Sequence, residues 1–381
     1  MPTHAPARPH SPASGTRGNP PIEGVTVSAY TIPTATPESD GTLAWDATTL
    51  VLVEAAAGGL HGLGYTYADA ATARLIHDLL IPIVTGRDAL DVPGAWEAMV
   101  HAIRNLGRPG ISSMAIAGVD NCLWDLKAKL LGVPLCLLLG RVRDTVPLYG
   151  SGGFTSYSIK QLQQQLGGWA REGFTAVKMK VGREPALDVA RVAAAREAIG
   201  PNVALYVDAN GAYNRKQALQ FAFDYWDYRV TWFEEPVSSD DLDGLHLIRD
   251  QGPAGIQIAA GEYGYDLWYY RRMLEHQAVD VLQADATRCA GITGFLRISP
   301  LVEARSMMLS AHTAPYIHLH PCCALPNFWP LEYFYDHARI AHLLFDGADP
   351  PVNGELRPDL SRPGLGLEFK RADAAQYAVA F

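Results

Sequence analysis

The chain has 381 residues, of which 48% are hydrophobic and 19% charged, and a formal net charge of −9. The length exceeds one simple core and suits a barrel plus a smaller domain, and the composition is that of an ordinary soluble globular protein. The acidic balance argues against nucleic acid or an anionic membrane as partner, but an anionic substrate stays open where a cation or a lysine pair reverses the field in one cleft.

Residues 1–21 are rich in Pro, Ala and Ser and contain no apolar h-region. They are expected to form a flexible N-terminal tail, not a secretory signal. Residues 22–145 suggest an α+β domain. Val25 to Tyr30 and Thr49 to Ala55 cluster apolar residues as strands do, separated by a polar stretch from Thr34 to Asp46. A Gly-rich loop is expected over Gly58 to Tyr67, and a helix over Ser113 to Leu131, closed by Gly132 and Pro134.

From residue 146 to 353 the pattern becomes strand, loop, helix, repeated. The candidate strands are Val146 to Tyr149, Ala176 to Val181, Ala204 to Val207, Thr231 to Phe233, Ile256 to Ala260, Val281 to Gln283, Met307 to Ser310 and Leu331 to Phe334. Asn214 with Gln217 forms a capping box, and Leu219, Phe223 and Trp226 are expected to line the buried face of the helix that follows. Val189, Val192 and Ile199 do the same before Gly200. Such alternation predicts an α/β fold, a parallel barrel preceded by an α+β capping domain. Residues 354–381 are Gly/Pro-punctuated and are expected to return to the cap. The five cysteines show no CxxC pairing, which suggests buried reduced thiols in a cytoplasmic protein. No apolar run reaches the roughly 18 residues of a membrane span.

Chemistry-bearing residues follow one another at intervals of roughly 23 to 28: Lys180, Asp208, Glu234, Glu262, Asp285, His312. That interval is about one strand plus one helix, so all of them converge on the C-terminal face of the barrel. Three carboxylates without Cys or His among them, Asp208, Glu234 and Glu262, suit Mg²⁺. Lys178 and Lys180 share one strand face, where mutual repulsion and a nearby cation are expected to lower an amine pKa toward that of a general base. Asp285 beside His312 would fix the tautomer of the imidazole and raise its basicity, giving a second acid/base roughly opposite Lys180. Glu332, in PLEYF, could stabilise developing negative charge as a protonated or hydrogen-bonding carboxyl. Together these groups can remove a proton α to a carboxylate and stabilise the enediolate that results.

The same residues resemble the enolase superfamily, and within it the mandelate racemase subgroup. The resemblance rests on Ala117-Gly118-Val119-Asp120 through Leu123-Trp124-Asp125-Leu126-Lys127, KMK at Lys178–Lys180, VDAN at Asp208, EEP at Glu234, GE at Glu262, the GITG after Asp285, the His312 strand and PGLGLE near the end. It implies a modified (β/α)7β TIM barrel with an N-terminal capping domain. It also implies Mg²⁺ on Asp208, Glu234 and Glu262, Lys180 as base with Lys178 near the substrate carboxylate, the His312–Asp285 dyad, and an electrophilic Glu332. Homo-oligomers, commonly octamers, are implied as well. Asn210 stands where some acid-sugar dehydratases of the subgroup carry a His, so those are not the nearest pattern.

Specificity in such a family comes from two cap loops, expected here over Ile32 to Thr48 and Gly58 to Asp69. Tyr30, Trp45, His61, Tyr65 and Tyr67 are their candidate substrate contacts, and Tyr149, Asn210, Arg288, His318 and His320 those of the barrel. The favoured reading is an acid-sugar (aldonate/aldarate) dehydratase giving a 2-keto-3-deoxy acid. The alternative is a racemase, epimerase or cycloisomerase sharing the first half-reaction. His318-Leu319-His320 also resembles the HxH of zinc amidohydrolase barrels, though it falls after the seventh strand instead of on the first. A non-catalytic barrel would predict a broken ligand set, and none is broken.

Overall fold

The structure, a computed structural model, describes residues 18–381. The expected tail therefore lies mostly outside the described residues, and its last part is tied down. Asn19 Nδ2 donates to Asp88 Oδ2 at 2.6 Å, and Ala89 N donates to the Pro20 carbonyl at 3.0 Å.

The cap is an antiparallel sheet, β1 (Gly24–Ser39), β2 (Ala44–Ala57) and β3 (Leu60–Tyr67), with helices on one face. Both stretches expected as loops are largely strand. β1 and β2 pair from Gly24↔Ala56 to Pro33↔Ala47, slip, and pair again at Glu38↔Trp45, so only residues 40–43 form the hairpin tip. β3 was obscured by its glycines. Leu63, Tyr65 and Tyr67 are buried on one face, while Gly62 and Gly64 lie under the helix Ile111–Leu130. A Cβ on Gly64 would stand 2.2 Å from Cys122 N, so the helix approaches closer than any side chain allows.

Eight parallel strands form the barrel: β4 (Val146–Gly152), β5 (Ala176–Lys180), β6 (Ala204–Asp208), β7 (Val230–Glu234), β8 (Gln257–Ala260), β9 (Val281–Ala284), β10 (Met308–Ala311) and β11 (Phe328–Phe334). β11 pairs with β4 and closes the ring. Because side chains alternate along a strand, an inward-facing residue stands on the one two positions earlier. Tyr206 lies under Asp208 and Trp232 under Glu234. These two rings stack at 5.0 Å and, with Tyr149, plug the barrel beneath the polar layer.

The capping box at Asn214 and Gln217 is present. The buried face of that helix is Ala218, Ala222 and Tyr225, however, while Phe223 and Trp226 are half exposed. Small residues let neighbouring helices pack closely, and the aromatic stripe was the wrong one of two. The eighth strand is followed by a helix, Tyr335–Leu344, that leans on cap strand β1 as well as on β4 and β11.

The C-terminal segment divides. After β12 (Phe345–Asp346), β13 (Glu355–Leu356) adds antiparallel to barrel strand β4. β14 (Glu368–Phe369) pairs with β12, and only β15 (Ala378–Val379) joins the cap sheet, beside β1. All five cysteines are buried and unpaired. Among the described residues no helix is long and apolar enough to cross a membrane.

Candidate active site

Lys178 and Lys180 come from β5, Asp208 from β6 and Glu234 from β7. Glu262, Asp285 and His312 follow β8, β9 and β10 within two residues, and Glu332 is in β11. Lys180, Asp208 and Glu234 are in register across three strands, so they face the same side. The chain turns sharply beyond several of these strands, through left-handed backbone at Asn210, Glu235, Thr313 and Ala314. All eight functional side chains are buried.

One oxygen from each of Asp208, Glu234 and Glu262 lies within 4.8 Å of the others. Oε2 of Glu262 is buried without a well-aligned hydrogen bond. An all-carboxylate donor set fits a hard dication such as Mg²⁺. Lys178 Nζ is 2.6 Å from Glu234 Oε1, 2.9 Å from Glu332 Oε1 and 3.6 Å from Asp208 Oδ2. Lys180 Nζ is 2.5 Å from Asp208 Oδ2.

Among the protein's own groups, these pairs oppose the lowering of the lysine pKa values that repulsion alone would give. Burial does oppose the charge on both amines, but Glu234 and Glu332 hold Lys178, and Asp208 holds Lys180, above the ordinary lysine value. Glu332 is likewise not the protonated carboxyl considered from sequence. Burial would raise it, yet Lys178 and His312 bring it down to about 2, and it accepts from Thr313 N at 3.1 Å. Burial and Asp208 push Glu234 up to about 8. Glu262 is held well below its usual range, because His312 and Arg288 outweigh burial.

His312 Nδ1 is 2.8 Å from Asp285 Oδ2. A carboxylate can only accept, so Nδ1 carries a proton, and Nε2, 3.2 Å from Glu262 Oε2, is the atom left for exchange with a substrate. Asp285 is itself fixed by Thr287, whose N and Oγ1 both donate to Oδ1 at 2.7 Å. Burial opposes the imidazolium, but Glu262 and Glu332 raise His312 to about 10. Around the ring β10 lies five strands from β5 one way and three the other, which sets His312 nearly opposite Lys180.

The cap covers this face. The hairpin tip rests on the barrel rim: a Cβ on Gly41 would stand 2.4 Å from the Ala209 carbonyl oxygen and 2.8 Å from that of Val181. Thr155 Oγ1 bonds to Ser39 Oγ at 2.6 Å and to the Asp40 carbonyl at 2.8 Å. Beneath lies a cavity of about 380 Å³ that includes Lys180, Glu262, His312 and Glu332.

Of the candidate substrate contacts, Trp45, Tyr67, Asn210 and Arg288 line this cavity. Arg288 is already engaged, with Nη1 3.3 Å from Glu262 Oε1 and its guanidinium over the Tyr263 ring. Tyr30, His61 and Tyr149 are not at the cavity. Tyr30 packs against Phe369 under the cap sheet, and His61 is exposed beside the β2–β3 turn, at the opposite end of β3 from Tyr67. Tyr149 belongs to the apolar plug, and Tyr65 to the core. His318 and His320 are fully committed to backbone. His318 accepts from Ala286 N at 2.8 Å and faces the Thr313 carbonyl, while His320 accepts from Cys136 N and faces that of Leu365. Neither offers a nitrogen to zinc.

Sequence reasoning missed Tyr263, Thr313, His337 and Asp40, all of which line the cavity. Tyr263 directly follows a metal-ligand candidate, which was a usable signal. His337 had none, because its helix was not expected. Its ring stacks on Tyr67 at 3.5 Å between centroids.

The N-terminal domain described as mandelate racemase / muconate lactonizing enzyme matches residues 23–140, and the enolase C-terminal domain-like family matches residues 161–374. The chain is 31% identical to L-talarate/galactarate dehydratase of Salmonella typhimurium, over 85% of this chain and 83% of that one. A mandelate racemase/muconate lactonizing enzyme-like protein from Rubrobacter xylanophilus superposes with a TM-score of 0.93 at 55% identity, covering 94% of this chain and all of the other. A racemase from Streptomyces coelicolor, solved with bound magnesium, superposes with a TM-score of 0.89 at 30% identity, over 94% and 100% of the two chains. The chain belongs to the enolase superfamily, in its mandelate racemase subgroup.

Proposed function

We propose that the protein is a Mg²⁺-dependent enzyme that removes the proton α to a carboxylate and dehydrates a sugar acid to a 2-keto-3-deoxy acid. The observation that carries this reading is the opposition of Lys180 and His312 across a cavity lined by Glu262, which clusters with Asp208 and Glu234. Magnesium among the structural relatives and the dehydratase among the sequence relatives support it.

Mg²⁺, which Asp208, Glu234 and Glu262 would hold, supplies positive charge beside the substrate carboxylate when bound and so favours the second negative oxygen of the enediolate. Lys178 adds a fixed ammonium charge on the same side. Lys180 takes the α-proton only as the neutral amine, so its pairing with Asp208 loosens before turnover. His312, in its protonated form and steered by Asp285, hands its Nε2 proton to the departing β-hydroxyl, which leaves as water. The enol so formed rearranges to the 2-keto acid.

Epimerisation is the second reading, favoured by the same opposed pair, since a proton returned at the α-carbon from the other face inverts it. A homo-oligomer, up to an octamer, and a cytoplasmic location complete the proposal. The unpaired buried cysteines support the latter. Proton NMR in D₂O with Mg²⁺ tests the reaction on a library of aldonic, aldaric and simple α-hydroxy acids. A 3-deoxy-2-keto product establishes the dehydratase, and deuterium uptake with only the C2 epimer moves the protein to the epimerases.

A further inference from the structure

The cavity has two unlike halves. Its barrel half holds the cations: Lys180, His312 and Arg288. Its cap half is formed by the β1–β2 hairpin tip, β2, the end of β3 with the two residues after it, and the start of the helix Tyr335–Leu344. Among the described residues lining that half there is no Lys or Arg. The charged groups there are two carboxylates, Asp40 and Asp69.

Both carboxylates are held in place by one oxygen. Asp40 Oδ1 accepts from Thr42 N at 2.6 Å and Leu43 N at 2.7 Å, and Asp69 Oδ1 accepts from Ala71 N at 2.8 Å. The second oxygen of each makes no hydrogen bond among the described residues. The same cavity presents flat rings, Trp45 and the stacked Tyr67–His337 pair. His337 does not supply the missing cation. Burial and the nearby His312 hold it down to about 3, and its Nδ1 accepts from Ala314 N at 3.4 Å. Arg288 does not supply it either, being matched by Glu262 at 3.3 Å and Asp285 at 3.8 Å.

The geometry points to a substrate with one carboxylate, an aldonate-type acid whose neutral polyhydroxyl tail lies in the cap half. This rests on the sugar-acid reading above and narrows it. Hydroxyls of such a tail donate to the outward oxygens of Asp40 and Asp69, and its C–H faces lie on the rings of Trp45 and Tyr67. A diacid would bring its second carboxylate against two like charges with no cation to meet it.

The test compares matched pairs that differ only at the distal carbon, such as galactonate with galactarate and gluconate with glucarate. Dissociation constants are measured by calorimetry with Mg²⁺ present on the Lys180→Ala variant, which binds without turning over, and D₂O exchange is followed on the unaltered enzyme. The expected result is monoacid binding tighter than diacid binding by about 100-fold, the effect of like charges at close range. Asp69→Asn, which keeps the Oδ1 acceptor, should narrow that ratio by about tenfold, as removal of one of the two repelling charges requires. Diacids binding as tightly as the monoacids, or a ratio unchanged in Asp69→Asn, would overturn the inference. The reaction reading fails separately: monoacids that bind with the expected preference but show no α-proton exchange would leave the specificity standing and remove the chemistry.

Discussion

The imidazole Nε2 of His312 lies 3.2 Å from Oε2 of Glu262. The acid/base on β10 and the third carboxylate of the triad on β8 are therefore one electrostatic unit. What neutralises Glu262 also changes the basicity of His312.

His312→Asn keeps a hydrogen-bonding side chain but no titratable group. Turnover should fall by about 10³-fold, within the usual range for an acid/base residue. Asp285→Asn should leave substrate affinity within severalfold, lower kcat, and displace the pH–rate profile, because only the orientation and charge support of the imidazole are lost. An unchanged pH profile in Asp285→Asn would remove the dyad.

Asp208→Asn, Glu234→Gln and Glu262→Gln should each weaken Mg²⁺ binding in calorimetric titration. The parent protein should melt higher with Mg²⁺ than with a chelator, by an amount equivalent to about 2.7 kcal/mol at a hundredfold excess over the dissociation constant. Of the three, Glu234→Gln should also destabilise the metal-free protein, since Lys178 is fully buried and loses a partner at 2.6 Å.

Glu38 gives a pH dependence separate from the triad. Its carboxyl is buried and faces Asp336, while Trp45 Nε1 donates to it at 3.0 Å and Arg339 lies nearby. Burial, then Asp336, raise it from 4.5 to about 8. A raised folded-state value means that its stability contribution is full below pH 4.5 and is lost as pH rises through about 8. Glu38→Gln keeps the acceptor for Trp45 and removes the titration. Thermal denaturation should show the variant gaining on the parent protein across that window. Parallel curves from pH 4.5 to 9 would contradict the assignment.

Thr155→Val removes the two hydroxyl contacts that hold the cap hairpin to the barrel and leaves the backbone bond from Thr155 N to the Ser39 carbonyl. Stability should drop by about 1–2 kcal/mol, the usual worth of two such bonds. KM should rise several-fold with kcat little altered, because the hairpin shapes the cavity and supplies no proton.

The barrel and its polar layer were legible because strand spacing and two-residue alternation are local properties of the chain. Lys178, Lys180, Asp208, Glu234, Glu262, Asp285, His312 and Glu332 all meet at one face. Their ionisation was not legible. Repulsion between two lysines can be read from KMK, but the attraction of Glu234 and Asp208 depends on distances that only the folded ring creates. The cap was read less well for two reasons. Glycines at 62 and 64 imitate a loop while serving a tight helix contact, and the proximity of a residue to a cavity depends on which end of a strand it occupies. His61 and Tyr67 belong to one strand, and only the latter reaches the site.

The edge of the cap sheet has a consequence for biosynthesis. β1, which begins at Gly24, pairs on one side with β2 and on the other with β15, whose residues are 378 and 379. During translation the whole barrel emerges while that side of β1 still has open backbone groups, and the sheet is completed only by residues 378 and 379, well after the eighth barrel strand. A ribosome-bound chain stalled short of them would carry a folded catalytic ring beneath a roof with one unpaired strand edge, the kind of surface that recruits chaperones or a neighbouring nascent chain.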